Sequence, residues 1–140
     1  MAYLLDTCAL SEMVAVKPNA DVLAWFEHQP EDTLYLSVIT LGEIQKGINQ
    51  LAAGKRRLQI ETWFLDELKP GFQGRILNID DKLMATWATM MAEFKPQGIV
   101  RPSLDSLIEA TALSHNLILV TRNVKNFQHS KVPILNLWEE

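Results

Sequence analysis

Short apolar runs alternate with longer segments of helical periodicity along the whole chain, and this alternation restricts the fold more than any other feature. The strand-like runs are residues 3–5, 34–38, 75–79, 117–120 and 133–137. The helical segments between them are 19–28, 40–51, 56–68, 83–94 and 104–114. Strands that alternate with helices form a parallel sheet with helices on both faces. We therefore predict an α/β fold, a three-layer α/β/α sandwich with a mostly parallel central sheet, as a single domain over residues 1–140.

The composition is that of a globular protein rather than a membrane or disordered one. Of the 140 residues, 48% are apolar and 21% are charged, and no apolar run is long enough to span a bilayer. The single cysteine, Cys8, suits a reducing compartment, and the N-terminal segment lacks the basic region of a signal peptide. We expect a cytoplasmic protein without membrane contact. The net charge of −4 has the wrong sign for binding nucleic acid by bulk charge alone.

Four polar residues, far apart in sequence, each follow a predicted strand or open a predicted helix. They are Asp6, Glu43, Asp105 and Asn123. The carboxyl ends of parallel strands face one crevice, so these side chains are expected to meet in one pocket. Three of them are carboxylates, which repel one another unless a divalent cation lies among them.

Each of these residues also has a local explanation. Asp6 is a good helix cap, and Thr40 with Glu43 matches the capping box. Asp105 lies in a first helical turn, where the helix dipole favours an acid. Asn123 follows an apolar strand, where a turn residue is expected. Taken singly, the residues leave both interpretations open.

Four segments together carry a family likeness. They are residues 3–7 (YLLDT), 36–44 (LSVITLGEI) with Gly47 behind it, 101–112 (RPSLDSLIEATA), and 119–123 (LVTRN) with Val124 and Phe127 behind it. In these segments, in this order, the chain resembles the PIN-domain ribonucleases, specifically the toxins of VapBC-type toxin–antitoxin pairs.

The resemblance implies an acidic pocket that binds Mg²⁺ or Mn²⁺. Asp6, Glu43 and Asp105 match three of the family's acids, as catalytic residues and metal ligands. The fourth position, often Asp in the family, is Asn123 here, and the acid that some members carry just before the Phe is replaced by Asn126. An amide oxygen adds no charge, so we expect one well-held metal ion and a weaker second one.

Further residues are assigned possible roles around this pocket. Thr121 and Ser37 are expected to hydrogen-bond a phosphate or a ligating carboxylate, and Arg101 and Arg122 to contact flanking phosphates. Glu109, at a position commonly small in the family, is either an exposed helix acid or a replacement for the lost charge. The three histidines fall at helix ends or in loops, which argues against a metal-free ribonuclease that uses His as its base.

The sequence thus predicts a metal-dependent endoribonuclease that cleaves RNA and is held inactive by a cognate antitoxin. A homodimer is expected through apolar surface offered by Trp63, Phe64, Trp87 and the Met-rich helix 83–94. The alternative is a PIN-fold module that binds nucleic acid or a protein partner without cleaving. A phosphatase of the DxD type has less support, because Cys8 stands where its second Asp is required.

Overall fold

Five strands and seven α-helices are present in this computed structural model, which describes residues 1–138. The strands are β1 (Tyr3–Leu5), β2 (Leu34–Ser37), β3 (Ile76–Leu77), β4 (Ile118–Val120) and β5 (Ile134–Leu135). The α-helices are α1 (Thr7–Ser11), α2 (Ala20–His28), α3 (Val38–Gln50), α4 (Lys55–Trp63), α5 (Lys69–Gly71), α6 (Asp81–Phe94) and α7 (Ser103–Ser114). Single 3₁₀ turns lie at Glu12–Val14, Glu31–Thr33, Lys95–Gln97 and Val124–Phe127, and a π-helical turn, Phe64–Leu68, joins α4 to α5. Within the described residues no helix is long and apolar enough to cross a membrane. Residues 139 and 140 of the predicted domain lie outside the described part.

The strands form one sheet in the order β3-β2-β1-β4-β5, and every pairing is parallel. Leu4 of β1 lies beside Tyr35 of β2 and Leu119 of β4. The chain runs outward from β1 through β2 to β3, then returns to the other side of β1 for β4 and β5. The order therefore reverses between β1 and β4, and ligands bind at the carboxyl ends of the strands at such a point. This confirms the predicted α/β sandwich.

Alternate side chains of β1 and β4 build two separate cores, one on each face of the sheet. Leu5 and Val120 pack in the cluster that contains residues of α1, α3 and the π-helical turn. Leu4 and Leu119 pack in the cluster that contains Ile108 of α7. All four strand side chains are fully buried. Burial on both faces explains why these strands are apolar at every position.

Helix α6 lies over α7 and forms a third cluster. Met90 and Phe94 of α6 are buried, and the indole N–H of Trp87 donates to the hydroxyl oxygen of Ser106 at 2.9 Å. Met90 is therefore core rather than surface. The prediction that Phe64 offers surface for a dimer is wrong, because Phe64 is 2% exposed and lies in the core beneath α3.

Helix α3 begins two residues earlier than predicted, and this changes the interpretation of Glu43. The hydroxyl oxygen of Ser37 accepts the amide N–H of Ile39 at 3.0 Å and caps the helix. Thr40 thus lies inside the first turn and Glu43 in the second. The Thr40–Glu43 capping box, one of the two interpretations of Glu43, is therefore wrong, and α3 ends at Gln50.

Candidate active site

Asp6 lies at the centre of the carboxyl edge, where β1 ends beside β4. Its amide N–H donates to the carbonyl oxygen of Val120 at 3.0 Å, which extends the strand pairing by one residue. The carboxylate is 5% exposed. Its Oδ1 accepts the amide N–H of Thr7, and its Oδ2 accepts the hydroxyl of Thr121, both at 2.8 Å. Asp6 is therefore both the cap of α1 and a buried anion at the sheet edge, so the two interpretations of this residue are compatible.

Glu43 reaches the same place from α3. Its Oε1 accepts the hydroxyl of Thr7 at 2.8 Å, so one threonine contacts two acids, Asp6 by its backbone and Glu43 by its side chain. Sequence reasoning missed this role of Thr7. The available signal was a hydroxyl residue directly after an acid at a strand end.

Asp105 enters from the first turn of α7. The side chain of Asn126 and the guanidinium of Arg101 both lie near enough to favour the charged form of its carboxyl, against burial and the charge of Asp6, which raise its pKa. In the sequence, Asn126 is identified only as the replacement of an acid. Its contact with Asp105 was visible only in the folded chain.

The pKa values of Glu43 and Asp105 are both raised, and neighbouring acids contribute to each rise. Burial raises the pKa of Glu43, the negative charges of Asp6 and Asp105 raise it further, and the Thr7 hydroxyl and Lys46 oppose the rise. Burial likewise raises the pKa of Asp105, and Asp6 adds to the rise. The carboxylates are thus close enough to repel one another, in agreement with the pocket expected from the strand ends.

Asn123 lies in the turn after β4, and its contacts are made by its backbone. Its amide N–H donates to the Thr121 hydroxyl oxygen at 3.1 Å, and its carbonyl accepts the amide of Asn126 at 3.0 Å. The residue is exposed. The backbone of Asn123 therefore supports the hydroxyl that holds Asp6, while a ligand role for its side chain stays a prediction.

The structure contradicts two of the four predicted substrate contacts. Arg101 is 6% exposed, and its guanidinium is directed at protein groups, so it does not reach a phosphate. Ser37 is 1% exposed, and its hydroxyl oxygen caps α3. Thr121 is fully buried, and its hydroxyl donates to the Asp6 carboxylate, the second of the two kinds of partner expected for it. Arg122 is exposed, with its guanidinium 5.8 Å from the centre of the Trp138 ring.

Glu109 has neither of the two roles considered for it. The side chain is fully buried, and its Oε1 lies 2.7 Å from the Nε of Arg101. An acid inside the apolar stretch 107–112 was the signal, since a buried carboxylate requires a partner.

Cys8 borders the pocket without the character of a nucleophile. Its sulfur accepts the amide N–H of Arg122 at 3.3 Å and lies 3.7 Å from the Thr121 hydroxyl. Burial raises the pKa of the thiol, and Asp6 raises it further, against the hydrogen bonds from Arg122 and Thr121. The thiol is therefore kept protonated.

The pocket suits a hard cation that keeps much of its water shell. Within residues 1–138 no three acidic, His or Cys side chains form a ready set of direct ligands for one ion. The carboxylate oxygens of Asp6 and Glu43 each have two lone pairs, so those bonded to Thr7 and Thr121 retain acceptor capacity. Mg²⁺ typically binds through one or two carboxylates and several waters. Asp6, Glu43 and Asp105 supply carboxylates for that donor set, and burial together with neighbouring acids raises the pKa of Glu43 and of Asp105.

A groove of about 410 Å³ opens beside the pocket, between α1, α3 and α4. Thr7 and Glu43 lie at its polar end, and Arg56 also lines it. Its apolar lining includes Ile44, Ile48, Ile60 and Trp63. The groove therefore places an apolar surface in direct continuity with the acidic pocket. We refer to it below as the α3–α4 groove.

Replacing Glu43 by Gln tests the repulsion among the carboxylates. A raised pKa means that the folded chain binds a proton more readily than the unfolded chain, so stability falls as pH rises above about 4.3, the ordinary value for Glu. Glu43→Gln removes that charge but keeps an acceptor for Thr7. In chelator at pH 7 we expect the variant to melt a few degrees above the parent, with a smaller fall in Tm between pH 4 and pH 7. Glu67→Gln, an exposed acid on the π-helical turn, is the control. Equal Tm shifts for the two variants would contradict the shared pocket.

Comparison with known proteins agrees with this architecture. The PIN domain family model matches residues 3–132. The chain is 37% identical to VapC ribonuclease Y4jK of Sinorhizobium fredii over 135 residues, which are 96% of each chain. It is 33% identical to toxin FitB of Neisseria gonorrhoeae over 137 residues, 98% of this chain and 99% of that one. The crystal structure of FitAcB from Neisseria gonorrhoeae superposes with a TM-score of 0.92 at 33% identity, covering 99% of both chains. With the parallel sheet and the acids at its carboxyl edge, these matches show that the chain belongs to the PIN domain family.

Proposed function

We propose that this protein is a metal-dependent endoribonuclease, the toxin component of a type II toxin–antitoxin system. The observation that carries the proposal is the cluster of Asp6, Glu43 and Asp105 at the carboxyl edge of the sheet, two of them with pKa values raised by burial and mutual repulsion. The full-length similarity to a VapC ribonuclease and to a toxin supports the same activity.

Asp6, Glu43 and Asp105 would hold Mg²⁺ or Mn²⁺. A bound ion would supply an activated water and neutralise the charge that builds on the scissile phosphate. The chain's own contribution is to orient the carboxylates: Thr121 fixes Asp6, and Thr7 links Asp6 to Glu43. Hydrogen bonds from residues that do not themselves bind the metal orient the residues that do.

Arg122 is the cation we assign to the RNA backbone. It is exposed and directly follows Thr121, which contacts Asp6. The nearby ring of Trp138 restrains the guanidinium, which reduces the entropy lost when a phosphate binds. Because the net charge is −4, a local cation of this kind has to provide the attraction that the whole protein lacks.

Metal-dependent cleavage that needs Asp6 is the direct test. Purified protein incubated with RNA and Mn²⁺ or Mg²⁺ is expected to cleave, and excess chelator to stop cleavage. Asp6→Asn removes the charge but keeps the size of the side chain, so cleavage should fall by at least about 100-fold. Asp66→Asn, an exposed acid on the π-helical turn, should cleave like the parent. RNA binding without any cleavage by the parent would instead support a PIN-fold module that does not cut.

Restoring a charge at position 123 tests whether that side chain faces the ion. Asn123→Asp is expected to tighten Mn²⁺ binding, measured by titration calorimetry, because a carboxylate is a stronger ligand than an amide. Asn116→Asp makes the same change at the opposite end of β4, where Asn116 precedes the strand with φ 54°. An equal Mn²⁺ affinity in both variants would show that the side chain at position 123 does not contact the ion.

A cognate antitoxin is the partner that we assign to the α3–α4 groove. A free endoribonuclease harms the cell that makes it, so an inhibitor is required. The groove has an apolar lining and ends at Thr7 and Glu43 of the acidic pocket. An apolar segment that carries a basic residue fits both parts, with the positive charge opposite the carboxylates.

Two glycines of α3 provide a matched test of this groove. A Cβ atom added to Gly47 or to Gly42 meets no atom within 4 Å, so both helix positions have room for a side chain. Gly47 lines the groove, whereas Gly42 is exposed on another part of the same helix. Gly47→Leu is expected to weaken antitoxin binding at least about tenfold in a pull-down or calorimetric titration, and Gly42→Leu to leave it unchanged. Equal binding by both variants would exclude the groove.

A homodimer in the cytoplasm completes the proposal. Apolar surface remains near the start of α7, where Val100 is 88% exposed and Leu104 is 50% exposed. Half-buried Met84 and Met91 pack in the same α6–α7 cluster. This surface keeps part of the predicted Met-rich helix and omits Phe64, which is buried.

A further inference from the structure

Arg101 and Glu109 form a buried ion pair. Neither residue is a candidate metal ligand, and neither has a role in the cleavage proposed above. The Nε of Arg101 and the Oε1 of Glu109 are 2.7 Å apart, and the two side chains are 1% and 0% exposed. The N–H bond does not point at the oxygen, so the contact is an ion pair rather than an aligned hydrogen bond. The guanidinium lies 4.7 Å from the Phe94 ring centre and 5.8 Å from that of Phe127.

The remaining polar atoms of the pair hold one stretch of backbone. The two terminal nitrogens of Arg101 donate to the carbonyl oxygens of Asn126 and Gln128, at 3.0 and 2.9 Å. The other carboxylate oxygen of Glu109 accepts the amide N–H of Lys131 at 2.9 Å. Three backbone bonds thus fasten residues 124–131, here called the 124–131 segment, onto α7.

This segment borders the carboxylate pocket. The side chain of Asn126, within this segment, lies close enough to Asp105 to lower the pKa of its carboxyl. Asp105 lies one helical turn before Glu109 on α7. Asn123, directly before the segment, donates to the hydroxyl of Thr121, which in turn holds Asp6. Displacement of the segment would therefore move the groups that orient two of the three acids.

Stability alone does not explain why the pair is charged. The desolvation cost of burying two ions offsets much of the free energy gained from their attraction. A protein with an apolar pair of similar volume at such a site is often as stable. An apolar pair, however, offers no donors to the carbonyls of Asn126 and Gln128. The planar guanidinium supplies two donors in a fixed direction, and the carboxylate of Glu109 holds it in place.

We propose that Arg101 and Glu109 are positioning residues, whose ion pair fixes the 124–131 segment and, through Asn126, the carboxylate of Asp105. This inference rests on the proposed metal-dependent nuclease function, but its tests do not require RNA cleavage.

The double variant Arg101→Met/Glu109→Leu separates positioning from stability. It replaces the pair with apolar side chains of similar volume, so the protein should fold with a Tm near that of the parent. We expect amide hydrogen exchange in residues 124–131 to become at least tenfold faster and Mn²⁺ affinity, by titration calorimetry, to fall about tenfold. Exchange in β1 and β4 should be unchanged.

Two further variants keep the test decisive. Arg101→Lys retains the positive charge but loses the two parallel donors of the guanidinium. It should also show faster exchange in residues 124–131 and weaker Mn²⁺ binding, even if the double variant fails to fold. Glu61→Gln breaks the half-buried Arg57–Glu61 pair on α4, 3.1 Å apart and distant in sequence from the 124–131 segment, and should change neither readout. If a folded variant of the pair keeps either the parental exchange or the parental Mn²⁺ affinity, the positioning role is overturned. A parent protein that binds Mn²⁺ but cuts no RNA would refute the nuclease proposal while leaving this test intact.

Discussion

Burial of the Asp6 carboxylate between the ends of β1 and β4 is the constraint on which the rest of the site depends. An anion that is 5% exposed is costly unless donors replace its water. The Thr7 amide and the Thr121 hydroxyl do so, one from the start of α1 and one from the end of β4. Burial raises the pKa of Glu43 and of Asp105, and the fixed negative charge of Asp6 adds to both rises. The pairing of β1 with β4 therefore decides where the charge of the site is concentrated.

Two acids on helix α7, Asp105 and Glu109, have opposite electrostatic surroundings. Asp105, at its open end, faces the carboxylate of Asp6 and is only partly buried. Glu109, one turn later, is enclosed and paired with Arg101. The first arrangement accumulates like charge that a cation can relieve, and the second neutralises charge to hold backbone. Two acids four residues apart thus differ in chemistry because one lies at the sheet edge and the other lies inside the fold.

Helix α3 connects the acidic pocket to the neighbouring groove. Glu43 points to Thr7 at the pocket, while Ile44 and Ile48, spaced along the same helix, contribute to the apolar lining. A ligand lying in the groove would therefore end at the carboxylates. For the nuclease that we propose, this continuity offers a direct route to inhibition, because one bound segment can combine apolar burial with a positive charge at the metal site.

The sequence by itself determined the alternation of strands and helices and the parallel sheet, at whose carboxyl edge the three acids were expected to meet. These follow from local patterns, because apolar runs buried on both faces and helical periodicity depend on near neighbours along the chain. Only the tertiary structure decided the roles of Thr7, Ser37, Arg101 and Glu109. The hydroxyl of Thr7 meets an acid 36 residues away, and Arg101 is fastened to carbonyls 25 and 27 residues away. Whether an arginine contacts solvent or is enclosed with a carboxylate depends on which distant segments pack around it, and no spacing along the chain encodes that packing.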